Sequence, residues 1–188
     1  SYELSLHNRC ILSITYSYVC IGVDMSDYKI ALVTGASAGF GLEIAKVLAS
    51  NGFKVIAAAR RLDKLEALKD LYPSLILPLE LDVTDNAAVE KALDSLPFEF
   101  KDIDVLINNA GLALGVDRAQ NCNLNEWNVM VDTNIKGLLN VTYKVLPSMI
   151  KRNFGYVINL GSTAGAWPYT GSNVYGATKA FVEQFSRN

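Results

Sequence analysis

At 188 residues the chain has the length of one domain, and 51% apolar with 19% charged residues is the balance of a soluble α/β domain. Seventeen basic against nineteen acidic residues leave a net charge of −2, which excludes the basic footprint of a nucleic-acid binder. Three cysteines (Cys10, Cys20, Cys122) without Cys-x-x-Cys pairing, and one histidine (His7), exclude a metal cluster and point to a reducing, cytoplasmic setting.

Residues 1–24 read differently from the rest. Ile11–Val23 is an apolar run shorter than the ~20 residues a spanning helix needs, so no membrane anchor is expected. Arg9 ahead of the run suits a signal peptide, but no small-residue cleavage pattern follows. Met25 is the expected natural start, with 1–24 an extraneous or disordered extension and 25–188 one nucleotide-binding domain. His7 is placed outside that domain.

From Lys29 the pattern is regular. Lys29–Thr34 is a short apolar run, the signature of a strand buried on both faces. A glycine turn over residues 35–41 leads into a helix from about Leu42 to Ser50, stopped by Asn51-Gly52. Lys54–Ala59 predicts a second strand, Asp63–Leu71 a helix, Leu75–Leu81 a third strand, and Asn86–Leu96 a helix ending before Pro97. Val105–Asn108 predicts a fourth strand, and Glu126–Lys151 a long helix with a kink or break at Pro147. Tyr156–Leu160 is the fifth strand. Strict alternation of strand and helix predicts a doubly wound parallel sheet, a Rossmann-like α/β fold in a single domain.

The turn Gly35-Ala36-Ser37-Ala38-Gly39-Phe40-Gly41 suits a phosphate. Gly35 permits a tight exit from the strand, Gly39 lets backbone approach a pyrophosphate, and Gly41 allows close helix packing. At the end of the second strand, where an acid usually selects NAD, the sequence reads Ala59-Arg60-Arg61. Two guanidiniums there match a 2′-phosphate, so NADP is the expected cofactor. Asp82 and Val83, ending the third strand, are placed against the adenine. Asn109, in Asn108-Asn109-Ala110-Gly111, has two readings: holding backbone turns, or touching the adenosine ribose.

Asn134 interrupts an apolar helical face, either as a hydrogen-bonded kink or as a water-holding site. Ser162 lies on the loop after the fifth strand. Tyr175 and Lys179 are four residues apart, so a helix starting there sets phenol and ammonium on one face. A free phenol, at ~10, is too weak a base for neutral pH, and a nearby ammonium lowers that value. Trp127, Met130 and Val131 read as helix core, and Cys122 as a small buried or loop residue. Trp167, Pro168 and Tyr169 either wall the site or shape the loop between Ser162 and Tyr175.

Together, Thr34–Gly41, Asn108–Gly111, Asn134, Ser162 and Tyr175-x-x-x-Lys179 resemble the short-chain dehydrogenase/reductase family, in its shorter, single-domain branch. Ser162 stands thirteen residues before Tyr175, as that family requires. The wording at 59–61, 108–115 and 161–181 is similar to the NADP-dependent 3-hydroxy acid dehydrogenases, which act on serine, allo-threonine and related short 3-hydroxy acids or their semialdehydes. The resemblance implies Tyr175 as general acid/base, Lys179 as its ribose-binding partner, Ser162 as the donor to the reacting oxygen, and Asn134 as a water holder in a proton relay. It also implies a homo-tetramer for the full-length protein and a chain that continues past Asn188 through two strands and a substrate lid. Relative to that family the chain is C-terminally truncated, leaving the fifth strand as a bare apolar edge and making a nucleotide-binding protein without turnover the alternative. An epimerase or dehydratase is disfavoured by the glycine spacing.

Overall fold

The computed structural model describes residues 10–14 (as backbone), 27 and 29–187. His7 and most of the 1–24 extension lie outside the described residues. Six parallel strands form one sheet: β1 (Cys10–Ile14), β2 (Ile30–Thr34), β3 (Lys54–Ala59), β4 (Ile76–Glu80), β5 (Val105–Asn108) and β6 (Gly155–Asn159). Their spatial order is β1-β6-β5-β2-β3-β4. The helices are α1 (Gly39–Ser50), α2 (Leu62–Leu71), α3 (Asn86–Asp94), α4 (Leu124–Val131), α5 (Leu138–Arg152) and α6 (Asn173–Ser186).

The continuous apolar runs have the cause expected of a doubly wound sheet. Ala31, Val33, Val55, Ala57, Val105 and Ile107 face one core with Ala45, Ala49, Leu65 and Leu68 of α1 and α2. The intervening Leu32, Ile56, Ala58 and Leu106 face a second core with Val89 and Leu93 of α3 and Val141, Val145 and Met149 of α5. Leu32, Ile56 and Leu106 are fully buried, each contributing ~1.5–3 kcal/mol by leaving water. At the opposite end from the site, buried Asp104 accepts from the Lys29 and Ile30 N–H groups at 2.9 and 3.1 Å and pairs with Arg152 at 2.8 Å. That cluster fixes the start of β2 against the start of β5 and the end of α5.

From β2 the chain steps outward through β3 and β4, then returns to place β5 and β6 on the other side. The order therefore reverses between β2 and β5, and a crevice opens at their carboxyl ends. The glycine turn after β2 and Asn109 after β5 flank this switch point.

Two expectations are corrected. The long helix does not break at Pro147, which lies inside α5. Its ring is exposed, and water can take the Tyr143 carbonyl that the missing N–H leaves free. The interruption comes earlier, as a π-helical turn over Asp132–Gly137. The β6 edge is not bare either: β1 pairs along it in parallel, from Cys10 opposite Gly155 to Ile14 opposite Asn159. Unpaired N–H and C=O groups on an edge template any β-prone segment, and Cys10–Ile14 (CILSI) is one.

Candidate active site

The glycine turn and the end of β5 are stitched together. The buried Thr34 hydroxyl accepts from the Asn109 and Ala110 N–H groups at 3.1 and 3.0 Å. Asn109 Nδ2 donates back to the Thr34 and Gly35 carbonyls at 2.8 and 3.3 Å. Asn109 therefore holds backbone turns, the first of its two readings. Gly35 has φ 68°, open to glycine at little cost, and a Cβ on Gly41 would run into the Gly35 carbonyl and the Asn109 amide.

Above this base the turn is open. Gly39 has φ 56° and nothing within 4 Å of where a Cβ would stand. No side chain caps α1, so its first N–H groups and positive dipole end face the crevice. Gly35, Ser37, Ala38, Gly39 and Phe40 line a cleft of about 640 Å³. Ala36 and Gly41 are buried beneath it, the Ala36 N–H donating to the Ala58 carbonyl at 3.1 Å.

A second cavity of about 210 Å³ adjoins the cleft and shares Gly35, Ser37 and Arg61 with it. Arg60, Asp82 and Val83 line it. Arg61 Nε and one terminal nitrogen both donate to Ser37 Oγ, at 3.2 and 3.0 Å, so its guanidinium stands at the mouth of the glycine turn. Partial burial raises the Asp82 carboxyl, but the Thr84 N–H and hydroxyl, with the Arg60 charge, outweigh it and hold the group below its ordinary value. The Val83 carbonyl is fixed by Asn140 Nδ2 at 2.9 Å.

Ser162, Tyr175 and Lys179 line the same cleft at its other end. Ser162 follows β6 and caps a short 3₁₀ turn, its Oγ accepting from the Ala164 N–H at 3.2 Å while its proton stays available. Tyr175 and Lys179 share one face of α6, with Lys179 Nζ 6.0 Å from the phenol ring centre. Lys179 is buried at 8% exposure and donates to the Leu160 carbonyl at 2.8 Å. Its burial disfavours the charged form and lowers its pKa.

The unfolded chain thus holds that proton more tightly than the folded one. The stability contribution of Lys179 rises as pH climbs from the lowered folded pKa towards ~10.4, where the unfolded lysine titrates. Lys179→Met keeps the apolar stem without the charge. Its stability relative to the parent is expected to be most favourable at neutral pH and to decline as pH approaches ~10.4. Urea unfolding across a pH series checks this, and a gap that grows with pH would reverse the sign.

Asn134, 2% exposed, is held by other elements. Its Oδ1 accepts from the Leu112 N–H at 2.9 Å, and its Nδ2 donates to the Leu112 carbonyl at 2.9 Å and to Thr178 Oγ1 at 3.0 Å. Asn134 is thus a hydrogen-bonded residue within an interruption of the helix, and that interruption is the π turn, a form that recurs at functional sites. Of the remaining expectations, Met130 is buried but Trp127 and Val131 are half-buried, and Cys122 follows a 3₁₀ turn in a loop. Pro168 and Tyr169 line a separate cavity and Trp167 is 75% exposed, and none of the three lines the cleft. Thr34 stands in the motif without a role of its own in the sequence reading, and Thr178 lies inside Tyr175-x-x-x-Lys179 at a position that motif leaves open.

A parallel sheet with a phosphate-fitting glycine turn at its switch point and a Ser-Tyr-Lys group across the same cleft defines a dinucleotide-binding protein of the dehydrogenase class. Residues 29–188 match the family model described as short chain dehydrogenase, and the chain belongs to that family. It is 57% identical over 159 residues to an NADP-dependent 3-hydroxy acid dehydrogenase, YdfG, of Salmonella typhi, covering 85% of this chain and 64% of that protein. A serine 3-dehydrogenase of Rhizobium radiobacter is 52% identical over 155 residues, covering 82% of this chain and 62% of the relative. The solved closed form of a serine dehydrogenase complexed with NADP+ superposes with a TM-score of 0.84 at 54% identity, covering 85% of this chain and 64% of the other. The chain thus spans somewhat under two thirds of the length of these relatives.

Proposed function

We propose that this chain carries the cofactor-binding and acid/base half of an NADP(H)-dependent oxidoreductase. Its substrate would be a short 3-hydroxy acid of the serine, allo-threonine or 3-hydroxypropionate type, or the matching semialdehyde. One observation carries the reading: Ser162, Tyr175 and Lys179 line the same cleft as the open glycine turn. The substrate class rests on the relatives' names.

The residues fit the cofactor. The uncapped α1 terminus and unobstructed Gly39 would receive a pyrophosphate, Arg60 and Arg61 a 2′-phosphate, and Asp82 and Val83 the adenine. Bound NADP would supply the hydride acceptor, chemistry that belongs to the cofactor. Tyr175 takes the alcohol proton, and Ser162 donates to the same oxygen where charge develops. Lys179, pinned by the Leu160 carbonyl, holds positive charge beside the phenol and would offer a donor to the ribose of bound NADP. Asn134 has both amide protons committed, so a relay water there would use the remaining Oδ1 lone pair or the main-chain carbonyl of the widened turn.

NADPH fluorescence titration, with NADH alongside and serine or 3-hydroxypropionate oxidation in the same samples, tests the reading. Tighter NADPH binding with turnover is expected. Binding without turnover would make the chain a nucleotide-binding protein, and no binding by folded protein would remove the cofactor on which the rest depends.

A further inference from the structure

Thr178, between Tyr175 and Lys179 on α6, is 1% exposed and does not line the cleft. Its hydroxyl donates to the Tyr175 carbonyl at 2.7 Å, which commits its one proton. A back-bond of this kind is common for threonine in helices and by itself has no functional content. The second bond is different. The hydroxyl oxygen also accepts from Asn134 Nδ2 at 3.0 Å, forty-four residues away on the π turn.

The direction of each bond is forced. Leu112 N–H must meet an oxygen and the Leu112 carbonyl must meet a proton, so the Asn134 amide has only one orientation. Its second N–H then points at Thr178, whose proton is already placed on Tyr175. Three segments are thereby locked: the α6 turn carrying phenol and ammonium, the π turn, and the backbone of Leu112, which lines both the cleft and the adjoining cavity. Gly111 leaves room for the lock. A Cβ there would stand 3.2 Å from Asn134 Oδ1 and 3.6 Å from Lys179 Nζ.

We infer that Thr178 is a positioning residue for the reaction. Through Asn134 it sets the Gly111–Leu112 wall of the cleft relative to Tyr175 and Lys179. The inference rests on the oxidoreductase reading above. Without the hydroxyl, Asn134 is left with a buried, unpartnered N–H, the costly case for a polar group, and it must turn or take in water. Either movement frees Leu112, whose N–H and carbonyl both depend on that amide.

Thr178→Val keeps the shape and removes both bonds, whereas Thr178→Ser keeps the hydroxyl. In the full chain, Thr178→Val is expected to lower kcat about 10- to 100-fold, the scale on which small misplacements slow reactions. NADPH affinity and the substrate KM should stay within about threefold, and Thr178→Ser should return kcat to within about threefold of the parent. Independently of turnover, the Leu112 amide should exchange with deuterium about tenfold faster or more in Thr178→Val and at the parental rate in Thr178→Ser. Parental kcat in Thr178→Val overturns the assignment, and so does unchanged Leu112 exchange. Should the valine variant not fold, Thr178→Ala is read by the same measurements. A parent that binds NADPH without turning over would defeat the oxidoreductase reading alone, with Leu112 exchange still deciding Thr178.

Discussion

Tyr175→Phe is expected to lower kcat by ~10²–10⁴ while leaving NADPH affinity within a few-fold, because positioned acid/base groups contribute on that scale. The substitution removes one oxygen and keeps the ring. The half-buried side chain retains its packing, and the ring face stays 6.0 Å from Lys179 Nζ. The Arg61 guanidinium is held on Ser37, and nothing stands within 4 Å of a Cβ at Gly39, so neither arrangement depends on the phenol oxygen. What disappears is the one phenol lining the cleft among the described residues, whose other polar lining comprises Ser37, Ser162, Arg61, Asn109 and Lys179 with no histidine, aspartate or glutamate. A thousandfold loss would correspond to ~4 kcal/mol of transition-state stabilisation. Steady-state kinetics beside NADPH titration separates the two effects. A variant as fast as the parent would take Tyr175 out of the acid/base role, and parallel loss of binding and rate would recast it as a cofactor-binding residue.

Most of the scaffold was legible because a sheet buried on both faces needs continuous apolar runs. Lys54–Ala59 and Val105–Asn108 form strands with the bounds their patterns predict. The start of α1 was less legible, since Gly39–Gly41 read as turn yet forms the first helical turn. A loop offering N–H groups and a helix N-terminus are one backbone there. The carboxyl ends of parallel strands share a crevice, which places the glycine turn after β2 and Ser162 after β6 on one side of the sheet, whereas the arrival of Tyr175 and Lys179 from α6 in the same cleft was implied only by the family resemblance. The π turn was not legible. Asn134 within it bonds to Leu112 and Thr178, partners 22 and 44 residues away, and no local propensity records such contacts. Pro147 drew attention as a breaker because it is visible locally, although an exposed proline can stay in a helix. Strand β1 was hidden for a related reason: what pairs it is an edge 145 positions along the chain.

Arg61→Ala is expected to weaken NADPH binding about 10- to 100-fold and NADH binding little, since charge-assisted bonds to an anion are the stronger kind. The two arginines are not equivalent. Arg61 is held by Ser37 from two nitrogens, which pre-orders its fork at the lip shared by both cavities. Arg60 lines only the smaller cavity and stands near the Asp82 carboxylate, so part of its charge is answered within the protein. Arg60→Ala should therefore shift the NADPH-to-NADH ratio less, and the double variant should approach equal affinity for the two. Because both side chains are exposed, the advantage should shrink as salt rises and the Debye length falls to ~8 Å or below. Paired titrations with NADPH and NADH at two ionic strengths test this. An unaltered ratio in the double variant would exclude the guanidinium pair as the phosphate clamp. Equal loss for both cofactors would instead show that Arg61 supports the glycine turn, a role the Ser37 contact also permits, and NADP preference would need another source in the fold.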